Sequence, residues 1–174
     1  FHTGGAKINN YPQVRCVFDD KKSIELAKLF GSPFILNSAY REKTFRREAA
    51  KKDKPILVYE AGESSRFNVL AIKEGKNGCL RLMKKLKMIN ADIPESDTKV
   101  LSNTKWVRAK MSGLFSTTQK YGSAINKNEI IGTIADPFGD TEVQLRAPDT
   151  GYIIGINNKP VINEGDAVIH IGVE

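Results

Sequence analysis

The sequence predicts an α/β sheet followed by an all-β unit, and three observations carry that reading. Short, branched apolar runs alternate with helical stretches between Pro33 and Met88, the pattern of a partly parallel sheet. A polar stretch at residues 90–103 then interrupts it. Beyond that stretch the helical period is lost and an internal repeat begins. Arg108–Leu114 is similar to Arg146–Tyr152, and Asn126–Ile134 to Asn163–Ile171, at offsets of 38 and 37 residues. The organisation that follows is an α/β part at 1–92, a linker at 93–104 and a β-rich part at 105–174.

Taken in order, Phe1–Asn10 reads as a Gly- and Asn-rich loop leaving a strand that lies upstream. Tyr11–Phe18 reads as an extended segment containing Arg15. Asp19 and Asp20 offer N-caps for a helix over Lys22–Phe30, whose Ile24, Leu26, Ala27 and Phe30 form an apolar stripe, with Gly31 as its stop. Pro33–Asn37 reads as a short strand and Thr44–Lys52 as a basic helix. Pro55–Tyr59 is the central strand. Phe67–Met88 reads as a long helix that Gly75 and Gly78 kink or break.

The central strand is expected to end on Glu60, with Gly62 and a second carboxylate, Glu63, just beyond. In open α/β sheets, ligands bind past the carboxyl ends of the strands. A carboxylate there is partly desolvated, which moves its pKa toward the range of a general base. Glu60 is therefore the first catalytic candidate. The competing reading is a carboxylate that caps the following helix.

Composition sets the limits. At 174 residues the chain can bury a sizeable core. No apolar run approaches the roughly 18 residues of a membrane span. Cys16 and Cys79 lack metal-type spacing and fit free thiols in a reducing, cytoplasmic compartment, although sequence alone leaves a disulfide open. The net charge of +7 is concentrated in residues 1–98, with 19 Lys+Arg against 12 Asp+Glu, while residues 99–174 hold 8 of each. That asymmetry could mark a nucleic-acid surface. The basic runs fall in expected helices, however, and lack the aromatic interleaving of a single-strand binder, so no nucleic-acid partner is expected.

The repeat implies two similar β units packed against one another. Their arrangement resembles the barrel-sandwich hybrid fold of biotinyl and lipoyl carrier domains. Those carriers present a modified lysine at a hairpin tip, and the segment joining the two units, Ala135–Asp140, contains no lysine. Carrier chemistry is therefore not expected.

Jointly, these motifs resemble the succinylglutamate desuccinylase/aspartoacylase family, zinc hydrolases related in fold to the metallocarboxypeptidases. The matching residues are His2-Thr3-Gly4-Gly5 with Asn9 and Asn10, Pro12-Gln13-Val14-Arg15, and Tyr59-Glu60-Ala61-Gly62-Glu63 with Arg66-Phe67. In the second half they are Trp106–Ala109, Ser112–Leu114, Gly132–Gly139 and Asn163–Ala167. The resemblance implies a partial zinc-carboxypeptidase-like α/β/α sheet followed by a barrel-sandwich-hybrid-like domain. It also implies a deacylase acting on an N-acyl amino acid or similar small molecule. By that likeness His2 is a zinc ligand, and Glu60 is the carboxylate that activates the attacking water. Arg66 and Arg15 are the candidates for a bidentate clamp on a substrate carboxylate.

The sequence departs from the family in three places. The His-x-x-Glu motif that supplies the family's first two zinc ligands is absent, the Asn-Arg pair used on substrate is absent, and Lys7 stands where relatives commonly have arginine. The expectation is that an N-terminal segment lies outside this sequence and that the chain alone is inactive. His170, the other histidine, is expected in a core or edge position of the last strand. The alternative function is a non-catalytic binding module with a degenerate hydrolase domain. A homo-oligomer is left open.

Overall fold

The computed structural model describes residues 1–5 and 7–174; Ala6, within the loop expected at residues 1–10, lies outside the described residues. Most of that expected loop is strand. β1 (His2–Gly4) and β2 (Ile8–Cys16) flank residues 5–7, and the Ile8 N–H donates to the Gly5 carbonyl. Asp20 caps α1 (Lys21–Phe30) by accepting hydrogen bonds from the Lys22 and Ser23 backbone N–H groups, and Gly31 ends it in the left-handed region. β3 (Phe34–Asn37) follows, and then α2 (Phe45–Ala50), capped by Thr44.

The next two elements differ from expectation. β4 (Val58–Glu63) starts later than expected and runs through Glu60 to Glu63, so Glu60 lies within the strand. α3 (Val69–Lys85) is capped by the Asn68 side chain and not by a carboxylate. It passes through Gly75 and Gly78 unbroken. Both glycines are packing positions. A Cβ on Gly78 would lie 2.2 Å from the Phe30 ring, and one on Gly75 would lie 2.6 Å from the Phe1 ring. The missing side chains let α3 approach those rings closely, at no cost in helical continuity.

The predicted linker also contains structure. β5 (Lys99–Leu101) pairs in parallel with β3, and its Leu101 is fully buried. The chain then continues as β6 (Asn103–Arg108), β7 (Gly113–Ser116), β8 (Ala124–Ile125), β9 (Ile130–Ala135), β10 (Glu142–Arg146), β11 (Gly151–Asn157), β12 (Val161–Ile162) and β13 (Ala167–Val173). The two halves share a nine-stranded mixed sheet, with β1-β4-β2-β11-β13-β6 as its main path. β2 is the splice between them. One of its edges pairs with β4; the other pairs with β11 through Ile8–Asn10 and with β3 through Gln13–Cys16. The fork between β3 and β11 is filled by Phe34, Leu36, Leu101 and Ile154, with Tyr11 and Tyr152 against them. On the helix-covered side, Val14, Cys16, Tyr59 and Ala61 pack against Ala27 and Phe30 of α1. Cys16 is buried and Cys79 partly buried, and both are free thiols.

The repeat has an exchanged topology. β10, β9, β7 and β12 form a second sheet. β12 of the second unit pairs with β7 of the first, whereas β8 of the first pairs with β11 of the second. β6 and β10 exchange in the same way, onto β13 and β9. Between the two sheets lies an isoleucine-rich core that includes Ile131, Ile134, Ile153, Ile156, Ile169 and Ile171. The lysine-free segment is the hairpin between β9 and β10. Its Asp136 accepts hydrogen bonds from the Phe138, Gly139 and Thr141 N–H groups, which hold the carboxyl below the usual range.

Candidate active site

The parallel pairing of β1 with β4 sets His2 opposite Glu60 and Gly4 opposite Glu63. Residues paired across a ladder share a face, and on β4 that face alternates with the one buried under the helices. The His2 side of this ladder lies at the sheet's margin, because β1 pairs only with β4 among the described residues. His2 itself is exposed. It also borders a cavity of about 600 Å³ lined by Phe1, Tyr59, Ala61, Ala71 and Ile72.

Glu60 is mostly buried and is held on both oxygens. The Asn10 side-chain amide donates to its Oε1 at 2.6 Å. Arg15 Nε lies 3.0 Å from its Oε2. By distance this is an ion pair, but the Nε–H is not aimed at the oxygen and makes no hydrogen bond. Asn10 is thus the directional contact on Glu60 among the described residues.

Asn10 reaches Glu60 because β2 is bulged. Asn10 is opposite Gly62 and Gln13 is opposite Glu60, so three steps on β2 match two on β4. In a regular strand Asn10 and Gln13 would point to opposite faces; the extra residue restores them to one. Pro12 sits within this bulge, one of the few places a sheet accepts proline.

The neighbouring strands complete the polar face. Asn10 is opposite Gly155 on β11, Gly155 is opposite His170 on β13, and His170 is opposite Trp106 on β6. The His170 ring stacks on the Trp106 indole at 4.2 Å, almost parallel to it. Burial pushes the His170 imidazole down to about 3, and the Arg15 cation adds to the effect, so the ring is neutral near pH 7. The expected core position for His170 is found, in an interior strand of the sheet.

Of the two arginine candidates, Arg15 lies beside Glu60, whereas Arg66 is largely exposed and 3.9 Å from Glu63. Glu63 is buried and accepts a 2.7 Å hydrogen bond from the Asn158 side chain, whose own oxygen accepts from Tyr121. Sequence reasoning missed the roles of Asn10, Asn158 and Tyr121. Paired asparagines inside a strand are a usable signal for the first, because strands disfavour asparagine.

A catalytic zinc takes three protein ligands. Among the described residues no group of three His, Cys, Asp or Glu side chains is placed to hold a metal ion. His2 is one such donor, so these residues alone do not make a zinc site. Nor is any helix among the described residues long and apolar enough to cross a membrane.

Comparison with known proteins gives the fold. No family model matches the chain, and no curated protein sequence does. Solved structures do match. The apo ectoine utilization protein EutE (DoeB) from Ruegeria pomeroyi aligns over 100% of this chain and 59% of its own, with a TM-score of 0.87 and 20% identity. A succinylglutamate desuccinylase/aspartoacylase from Rhodobacter sphaeroides aligns over 99% and 57%, with a TM-score of 0.83 and 20% identity. An aspartoacylase family protein from Mesorhizobium loti aligns over 99% and 61%, with a TM-score of 0.79 and 13% identity. The chain therefore has the fold of a portion of these proteins and spans less than two thirds of their length.

Proposed function

We propose that this chain is the C-terminal portion of a deacylase that hydrolyses the amide bond of an N-acyl amino acid or similar small molecule. The observation that carries this reading is the register of β1 on β4, in which an exposed histidine stands across from a carboxylate held by an amide and an arginine. Glu60 is the general base: it takes the proton of the water that attacks the substrate carbonyl, and it returns that proton to the leaving amine. Arg15, at the edge of the same polar face, is the candidate to pair with a substrate carboxylate. Arg66 is the second candidate, through its exposed position beyond Glu63.

In this reading the cofactor is zinc, with His2 as one ligand and the other two supplied by polypeptide outside this chain. A bound zinc would acidify its water toward a pKa of about 7 and polarise the carbonyl. The β-rich half, read as a barrel-sandwich-like unit, would shape the mouth of the site. The expected setting is cytoplasmic, with a small molecule and no nucleic acid as partner.

The test is elemental mass spectrometry together with turnover on the protein extended at its N-terminus. About one zinc per extended chain and little on this chain alone is the expected result. Glu60→Gln should keep the metal and lower kcat by about 10²- to 10⁴-fold, whereas His2→Ala should lower zinc occupancy. Near-normal turnover in Glu60→Gln would remove it from the base role. No zinc on either polypeptide would favour the second reading, a binding module with a degenerate site, for which the single metal-type donor beside Glu60 speaks.

A further inference from the structure

We infer that Asn10 is a positioning residue for Glu60, and that Gly155 provides the clearance that lets Asn10 do so; this deepens the deacylase reading and rests on it. A carboxylate on a strand rotates about its last side-chain bond, and a general base works only when one oxygen faces the proton it takes. The Asn10 amide fixes that rotation with a 2.6 Å charge-assisted bond to Oε1. Arg15 contributes charge at 3.0 Å from Oε2 without a directed hydrogen bond, so it cannot set the rotation alone.

Asn10 is itself fixed by what surrounds it. Its side chain is almost fully buried, and its Oδ1 has no hydrogen-bond partner. A buried amide oxygen left unpaired costs free energy, so the side chain is held in this pose by the gain at Nδ2 and by the walls around it. On one side its partner is Gly62, on the other Gly155. A Cβ at Gly155 would stand 2.7 Å from Asn10 Oδ1 and 3.3 Å from His170 Cβ. Any side chain there would displace Asn10 from Glu60, because His170, stacked on Trp106, closes the opposite direction. The bulge at Tyr11–Pro12 favours the same contact as the clearance at Gly155: it turns Asn10 onto the face of Glu60. Three features on three strands, Gly155 on β11, His170 on β13 and the bulge on β2, therefore converge on one hydrogen bond.

The experiment has two readouts, both on the full-length protein. The first is steady-state kinetics with N-acyl amino acids for Asn10→Ala and Gly155→Ala. Both should lose about 10- to 100-fold in kcat with KM within about twofold, as expected when a reacting group is misaligned but substrate binding is kept. The second is the side-chain amide resonance of Asn10, which should move on Glu60→Ala by more than any other side-chain amide resonance. If Asn10→Ala does not fold, Asn10→Leu, of similar shape but with no donor and no charge, takes its place. Unchanged kcat in the Asn10 variant overturns the inference, and so does a loss of kcat with an Asn10 resonance indifferent to Glu60→Ala, which would mark a merely structural role. A wild-type protein without deacylase activity whose Asn10 resonance still responds upholds the contact and sinks the deacylase reading instead.

Discussion

The two repeat units are built alike but placed differently. In the first, Asn126 and Glu129 close a turn in which the Glu129 carboxylate accepts the Asn126 N–H; in the second, Asn163 and Asp166 do the same. Arg146 reaches across to the Asn128 carbonyl of the first turn, and Arg108 reaches across to the Gly165 carbonyl of the second. Ala147 and Ala109 make the matching backbone bonds to Glu129 and Asp166. Even the close contacts recur: a Cβ on Gly113 would meet the Ala135 carbonyl oxygen, and one on Gly151 the Gly172 oxygen. The difference is what lies alongside. β7 is covered by β9 and β12, whereas β11 has β13, β8 and also β2 of the α/β half. At the position where the first unit has Thr133, bonded to Ser116, the second has the buried, stacked His170. One repeat serves as scaffold, and the other, through its contact with β2, forms part of the wall of the Glu60 site.

The comparison can be broken at its core. Ile134 and Ile171 are equivalent and both fully buried, so alanine at either should cost about 3–4 kcal/mol, in the range for a large-to-small change in a packed core. Chemical denaturation checks this. A much smaller cost at Ile134 would mean that the scaffold unit is the looser of the two.

A second experiment sharpens the asymmetry at Thr133 and His170. The His170 imidazole is depressed to about 3 in the folded state, while an unfolded histidine titrates near 6.5. Between those values the unfolded chain binds more protons, so stability is fully present above about pH 6.5 and falls as the pH drops toward 3. At pH 5 the loss from this group is about 2 kcal/mol relative to pH 7. His170→Gln should flatten that slope while Thr133→Val leaves it intact; an equally steep slope in both would exclude His170 as its source. Unfolding midpoints at pH 7 and pH 5 decide between them.

The smallest effect tests the symmetry itself. Arg108→Ala and Arg146→Ala each remove a hydrogen bond from an exposed side chain to the other unit's turn, Arg146→Ala also removing an exposed one to Gln144, and each should cost about 1 kcal/mol. Because the two contacts are separate, the double variant should show the sum. A strong departure from additivity in thermal unfolding would show that the two turns are coupled.

Much of this architecture was legible from local chemistry. Asp20 and Gly31 bracket α1 because a carboxylate can accept free N–H groups and glycine can adopt the left-handed conformation. The repeat was visible because equivalent turns need equivalent residues. His2 and Glu60 could be singled out by side-chain type and by family likeness. The exchange of strands between the repeats was not legible, because either pairing buries the same isoleucines. Nor was β5, whose three residues gain their partners only from β3.

The sequence by itself determined the helices, the turns, the repeat and the residue types capable of acid–base chemistry, because each of these depends on neighbours a few positions away. Only the tertiary structure decided that one sheet runs through both halves, that Arg15 and not Arg66 stands beside Glu60, and that a bulge turns Asn10 onto the carboxylate. Those outcomes depend on register, and register is fixed by ladder pairings between residues far apart in the chain, such as Arg15 with Val58 and Ile8 with Asn157. No local pattern records them; the free energy of burying both faces of the shared sheet selects among them.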